Sequence, residues 1–259
     1  YNGKIPLGIL RTVVPAAPDA WITALQNYGT MSFGEVASTA IKYAREGITV
    51  HPTMAKFLSR YQDNYRMWPS NSNIWQKNGQ PLEVGDLLVQ TDLAASIQYM
   101  VDQEAGAVKA GRQQGLQAAR DAFYIGDIAT KIVEYHKQNG GLMTAEDMAS
   151  YRTPIEEPLS INFRGTEVFS CRPWCQGPVL LQMLNILNDI DLQRMGHNST
   201  EYIHYLAETI KLSFADRERY YGDPNYVNVP IEQLLSSEFA KKRQQNIDPT
   251  KAWPEMPSA

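Results

Sequence analysis

Residues 171–224 read CRPWCQGPVLLQMLNILNDIDLQRMGHNSTEYIHYLAETIKLSFADRERYYGDP, and the two helices this stretch specifies organise the rest of the chain. Pro173 ends whatever extended run precedes it. Gly177-Pro178 then puts a proline at a first helical position, where the missing N–H costs nothing. From there Val179, Leu180, Met183, Leu184, Ile186 and Leu187 are apolar around more than half of the circumference, which marks a helix buried on most sides. Ser199 is a good N-cap for a second helix, with Ile203, Leu206, Ile210 and Phe214 at inward spacing until Gly222-Asp223-Pro224 stops it. The pattern leaves Glu201, Glu208, Lys211, Asp216, Glu218 and Arg219 in water. Ahead of these helices Leu159, Ile161 and Phe163 alternate with polar residues, and Val168 and Phe169 follow Arg164-Gly165. That is a β-hairpin pattern.

The chain has 259 residues, 43% of them hydrophobic and 20% charged, enough for one large or two modest domains with a core of their own. No apolar run approaches the roughly 20 residues a membrane span needs. The net charge of −4 is spread along the chain and gives no basic patch for phosphates, so nucleic acid is excluded as an expected partner. Cys171 and Cys175 stand four apart, with no histidine at a zinc-module spacing from them. They read as two small buried thiols beside a strand end; a disulfide across the Pro173 turn stays open. No metal and no cofactor is expected.

Along the chain, the β-branched run Ile9–Val14 reads as a strand in need of a partner. Helices follow at Ala20–Tyr28, closed by Gly29, and after Ser32, where Glu35 completes a capping box and Gly47 ends the helix. His51 to Tyr65 reads as one helix with Met54, Phe57, Leu58 and Tyr61 inward, and Pro69 to Gly79 as a loop. His51, beside Pro52, is a hydrogen-bonded surface residue rather than a catalytic base, since no nucleophile stands near it. Gly85–Gln90 reads as a short extended segment turning into a capped helix. Gly106–Gly115 is the weakest segment. The run from Phe123 leads a strong helix ended by Asn139-Gly140-Gly141, and Thr144 with Asp147 makes a second capping box. Short helices are expected over Glu232–Leu235 and Glu238–Gln245, with Lys241, Lys242 and Arg243 on a solvated face. Residues 248–259, with Pro249, Pro254 and Pro257, have linker composition. Asp216, Arg217, Arg219 and Asp223 read as a helix-end ion-pair network. Both ends suggest that sequence precedes Tyr1 and follows Ala259.

Several of these runs also carry a family resemblance. QGPVLLQMLNIL and KLSFADRERYYGDP resemble the large subunit of the gamma-glutamyltransferases, a family of N-terminal-nucleophile hydrolases. So do PAAPDAWITALQNYGTMSFGEVASTAIKYAREGITV, the Gly85–Ala94 run, FYIGDIA and NGGLMTAEDMASY, in that order, so that the resemblance covers Val13 to about Gln245. Ala16-Ala17 replaces the family's more usual glycine in the first turn. The resemblance implies an α+β fold, the mostly helical large-subunit part of an αββα sandwich, with strands completed by other segments and the chain as one large-subunit fragment. It implies an enzyme that cuts itself in two. The new N-terminal Thr of the small subunit, from the same precursor, attacks a gamma-glutamyl amide such as glutathione, with its own α-amine as base. The family places that nucleophile beyond Ala259 and the substrate-carboxylate arginine before Tyr1, so no catalytic, cofactor-binding or metal-binding residue is assigned here. A periplasmic or secreted location is likewise implied by resemblance only. Two rival readings are a family acylase acting on other amides, such as glutaryl side chains, and a non-catalytic helical interaction module. The residues themselves hold no HExxH, P-loop, dinucleotide fingerprint or nucleophile elbow.

Overall fold

Capping chemistry sets most of the helix boundaries in the computed structural model, which describes residues 4–259. The chain divides into two compact units, the first ending at Pro154 and the second covering Ile155–Ala259. The first carries α1 (Ala17–Tyr28), α2 (Phe33–Glu46), β1 (Ile48–Thr49), α3 (Pro52–Arg60), α4 (Gln62–Arg66) and α5 (Pro69–Trp75). The hairpin β2 (Gln76–Lys77) and β3 (Gln80–Pro81), β4 (Leu87–Leu88), α6 (Thr91–Ala107), α7 (Arg112–Tyr124), α8 (Asp127–Gln138) and α9 (Ala145–Ser150) complete it. Strand β1 pairs antiparallel with β4, Ile48 opposite Leu88.

Both expected capping boxes form: Ser32 with Glu35 opens α2, and Thr144 with Asp147 opens α9. The core of this unit packs Ile22 of α1, Phe33, Ala37 and Ile41 of α2, Ala94 and Met100 of α6, and Leu116 and Ala119 of α7. Glu104 of α6 is buried because its carboxylate accepts from the Phe33 and Gly34 N–H groups, each at 2.8 Å. An acid on the orphan donors of α2 satisfies both the bonds and the helix dipole.

Four expectations for this unit are corrected. Ile9–Val14 is not a strand: Ile9–Arg11 form a 3-10 turn, and the Arg11 side chain donates to the Ile5 and Pro6 carbonyls. With no strand paired to it among the described residues, β-propensity yields to local hydrogen bonds. Gly106–Gly115 is mostly helix, ending α6 and starting α7, with Gly111 at φ 124° between them. A Cβ at Gly115 would lie 3.2 Å from the Glu104 carbonyl oxygen, so the glycine serves the close α6–α7 crossing. Pro69–Gly79 holds a helix and a hairpin whose Asn78-Gly79 turn has φ 52° and 74°. That Asn-Gly pair is a strong hairpin signal which the loop reading passed over. The expected His51–Tyr65 helix is two, α3 and α4, and Phe57 and Tyr61 stack on each other at its exposed side.

Between α1 and α7 lies a buried polar knot. Asp19 is 1% exposed; its carboxylate accepts from Arg120 and, at 2.6 Å, from the Thr153 N–H, while Tyr124 donates to the Pro15 carbonyl. The guanidinium also sits 4.7 Å from the centre of the Tyr124 ring. Burial pushes the Asp19 carboxyl up, but the Thr153 and Arg120 hydrogen bonds outweigh it and hold the group below its ordinary value; burial drives the Tyr124 hydroxyl up to about 12. A depressed carboxyl stabilises the fold above its ordinary value, and that stabilisation is lost as pH falls through the lowered value. Asp19→Asn is therefore expected to flatten the acid side of the stability curve. Urea midpoints measured from neutral pH down to about 2 check this; an unchanged acid slope in the variant contradicts it.

The second unit holds β5 (Leu159–Phe163), β6 (Thr166–Ser170), α10 (Gly177–Leu187), α11 (Leu192–Met195), α12 (Thr200–Tyr220), α13 (Ile231–Leu234) and α14 (Ser237–Gln244). The hairpin is as expected, Phe163 facing Thr166 across the Arg164-Gly165 turn. Its Arg164 side chain donates to the Leu187 and Asn188 carbonyls and so caps the C-terminal end of α10. Helix α10 opens at Gly177-Pro178 and buries Val179, Leu181, Ile186 and Leu187; Leu180 is exposed.

Helix α12 begins at Ser199, which accepts from the Tyr202 N–H at 3.1 Å, but it packs on a different face from the expected one. Glu208, Thr209, Leu212, Ser213 and Asp216 are buried, while Ile203 and Ile210 are 52% and 41% exposed and Phe214 is half-buried. The polar face goes inside because partners wait there: Gln182 from α10, Arg243 from α14, and the tail. Residues 248–259 are docked rather than linker-like. Trp253 packs against the cluster of Ile186, Leu212, Ala240 and Ile247; its N–H donates to Glu208 at 3.1 Å, and its carbonyl accepts from Lys211 at 2.7 Å. Glu208→Ala strips the buried acceptor from both Lys211 and the Trp253 N–H, and is expected to cost about 2 kcal/mol and to expose the tail to proteolysis. Ile203→Ala should cost under about 1 kcal/mol, as a partly hydrated side chain does. Denaturation midpoints and limited proteolysis of the two variants check the order.

Candidate functional site

The turn after β6 and the C-terminal end of α12 enclose an open cleft of about 390 Å³, lined among others by Trp174, Cys175, Arg217, Glu218, Tyr221 and Gly222. The turn is held by the Cys175 N–H donating to the Arg172 carbonyl at 3.1 Å and by Trp174 Nε1 donating to Glu156 at 2.7 Å.

Behind the cleft lies the polar face of α12. Tyr221 donates to Gln182 Oε1, and Gln182 Nε2 donates to Asp216 Oδ2 at 3.1 Å. Arg243 Nη2 stands 2.9 Å from Asp216 Oδ1, an ion pair without hydrogen-bond alignment, and donates instead to the Leu212 carbonyl at 3.1 Å. Its Nη1 donates to the Ser258 carbonyl at 2.9 Å. Burial raises the Asp216 carboxyl above its ordinary value despite the Arg243 charge and the Gln182 bond. Burial, and then the charge of Asp216, raises the Tyr221 hydroxyl far above the usual phenol range. Tyr221 is thus a fixed hydrogen-bond donor at neutral pH. The network braces a wall of the cleft. It presents no nucleophile with a base.

The four charges read together at the end of α12 do not form one network. Asp216 faces Arg243, Arg217 pairs with Glu218 at 2.5 Å, and Asp223 accepts from the Asn225 N–H at 2.9 Å. Arg243, expected on a solvated face, is buried for the same reason. Gln182 and Tyr221 were not singled out by sequence; the one available signal was a lone glutamine inside the apolar run VLLQMLNIL.

His51 is an exposed N-cap, its Nδ1 accepting from the Thr53 N–H at 3.1 Å, as its place before Pro52 suggests. A second histidine resembles half of a catalytic pair: His136 Nε2 lies 3.2 Å from Thr12 Oγ1. The Met143 N–H, 3.3 Å from Nδ1, needs an acceptor there, so the proton sits on Nε2, and the Thr12 hydroxyl donates its own proton to the Ile9 carbonyl at 2.6 Å. His136 is a donor in this pair and cannot act as its base. Cys171 and Cys175 are unpaired and exposed, not buried as composition suggested, because the loop turns both side chains outward from buried Pro173. Among the described residues no three His, Cys, Asp or Glu side chains come together as metal ligands.

A family model described as Gamma-glutamyltranspeptidase matches residues 2–259. The chain belongs to the gamma-glutamyltranspeptidase family. It is 35% identical over 247 residues to the glutathione hydrolase proenzyme of Escherichia coli K12, covering 95% of this chain and 40% of that protein. It is 32% identical over 250 residues to the acylase ACY 1 proenzyme of Pseudomonas sp. strain SE83, covering 95% of this chain and 42% of that one. Its fold matches the crystal structure of Helicobacter pylori gamma-glutamyltranspeptidase with a TM-score of 0.82 at 29% identity, over 95% of this chain and 67% of that one. The chain therefore spans less than half the length of the curated relatives it matches, and its α+β class is that of a gamma-glutamyltranspeptidase.

Proposed function

We propose that this chain is the large-subunit part of a gamma-glutamyltransferase or glutathione hydrolase that matures by autoproteolysis, with the nucleophile on a companion small subunit from the same precursor. The observation that carries this reading is the match to the family model over residues 2–259, joined to relatives whose names mark them as proenzymes. In the chemistry proposed, the hydroxyl of a newly exposed N-terminal Thr attacks the gamma-glutamyl carbonyl. The adjacent α-amine, with a pKa near 8, takes the hydroxyl proton, and the resulting acyl ester passes to water or to an amino acid. The present residues form the helical body on which that centre is built. A gamma-glutamyl amide such as glutathione is the substrate this reading favours.

The test is made on the precursor that contains this chain. It should convert to two chains, the smaller beginning with Thr, and the processed protein should release the chromophore from a gamma-glutamyl anilide. The present polypeptide alone is expected to give no turnover. Activity of the isolated chain, or an intact precursor that is fully active, overturns the proposal. The acylase relative supports a second reading, an amidase for other acyl groups, and a preference for a glutaryl amide over the gamma-glutamyl anilide would select it.

A further inference from the structure

Asp216 Oδ1 and Arg243 Nε, buried atoms of one ion pair, have no hydrogen-bond partner among the described residues, although Arg243 Nη2 stands 2.9 Å from that oxygen. A guanidinium is rigid and planar, and its Nε–Nη2 edge is a fork that matches the two oxygens of a carboxylate. Here the fork is not closed. Gln182 Nε2 donates to Asp216 Oδ2 at 3.1 Å, while Arg243 gives Nη2 to the Leu212 carbonyl at 3.1 Å and Nη1 to the Ser258 carbonyl at 2.9 Å. The carboxylate and the tail therefore compete for one guanidinium, because the turn that aligns its Nε–Nη2 edge with Asp216 carries the opposite corner, Nη1, away from Ser258. Gln182 decides the competition by occupying Oδ2. It is held in turn by Tyr221, whose hydroxyl donates to Gln182 Oε1 from the wall of the cleft.

We propose that Arg243 is a two-position latch for the tail, set from the cleft through Tyr221 and Gln182. In the position observed, Tyr221 fixes Gln182 on Asp216, the fork stays open, and Arg243 holds the tail at Ser258. In the other, a hydrogen-bond acceptor entering the cleft, such as a carboxylate, takes the Tyr221 hydroxyl, and the Gln182 amide leaves Oδ2. Nε and Nη2 then close on both carboxylate oxygens and Ser258 is released. Arg243 keeps acceptors in either position, two carbonyls in one and a bidentate carboxylate in the other, so the change strands no buried charge. Trp253 stays docked in both, since Glu208 and Lys211 hold its backbone independently of Arg243. The latch uses no step of the amidase chemistry proposed above, so either can fail without the other.

The experiment digests the intact protein that carries this chain under native conditions and follows two cuts by mass. A Glu-specific protease cuts after Glu255, between the holds at Trp253 and Ser258, and trypsin cuts after Lys251, ahead of Trp253. Gln182→Leu removes the competitor for Oδ2 and is expected to speed the cut after Glu255 about tenfold, the population change that losing one hydrogen bond to a charged group produces, with the cut after Lys251 unchanged. Tyr221→Phe should act in the same direction. Adding Asp216→Asn to Gln182→Leu takes away the charge that draws the fork and should return the cut after Glu255 to its native rate. A Glu255 cut that Gln182→Leu leaves unchanged overturns the proposal. So do two cuts that accelerate together, which is general loosening, or a fast Glu255 cut that persists in the double variant.

Discussion

Gly177→Ala is expected to destabilise the second unit by about 3 kcal/mol or more, at the upper end of what overpacking costs. The new methyl group would lie 2.1 Å from the Cys171 carbonyl oxygen, 2.7 Å from the Cys171 nitrogen and 2.7 Å from Ser170 Oγ. Only the last of these can swing away. The other two are backbone atoms at the exit of β6, so relief requires parting the strand from the first turn of α10. Alanine would ordinarily favour a helix over glycine by roughly 1 kcal/mol, and here that gain is outweighed. Urea midpoints of Gly177→Ala and of Gly106→Ala separate the two effects. Nothing lies within 4 Å of a Cβ at Gly106 in α6, so that variant should be neutral or stabilised. Equal midpoints would mean that the loop has room the geometry denies.

The second large effect is expected at Asp216. Replacing it by alanine leaves Arg243, 6% exposed, with two carbonyl acceptors and no counter-charge, and breaking one side of a buried pair costs about 3–5 kcal/mol. Replacing both partners with apolar residues of similar size should cost much less, since burial raises the Asp216 carboxyl even in the native fold. The sign of the pH dependence follows. A carboxyl raised in the folded state gives stability that is complete below its unfolded value and falls as pH rises through the folded one. Asp216→Leu/Arg243→Met should therefore be less destabilised than Asp216→Ala and lack this loss. Chemical denaturation of the single and double variants at several pH values measures both; a double variant as unstable as the single would show that the pair itself stabilises the fold.

Much of the fold was legible in the residues because the relevant physics is local. Ser32 with Glu35, Thr144 with Asp147, Ser199, Gly177-Pro178 and Arg164-Gly165 act within a few residues of themselves, and each starts or turns the element its chemistry requires. The family was legible as well, through ordered blocks of sequence along the chain.

The inward face of α12 was not legible. Apolar spacing selected Ile203, Ile210 and Phe214, whereas the helix buries Glu208, Ser213 and Asp216. A buried charge is tolerable only where a partner meets it, and the partners Arg243, Gln182 and Trp253 lie tens of residues away in sequence. Ile9–Val14 failed for the converse reason, since a strand exists only if a second one comes to pair with it. The cleft beside Cys175 is of the same kind, a turn and a helix end brought together by packing. The sequence by itself determined the caps, the turns and the family, because those depend on neighbours in the chain; only the tertiary structure decided which polar side chains go inside, because that depends on who is waiting there.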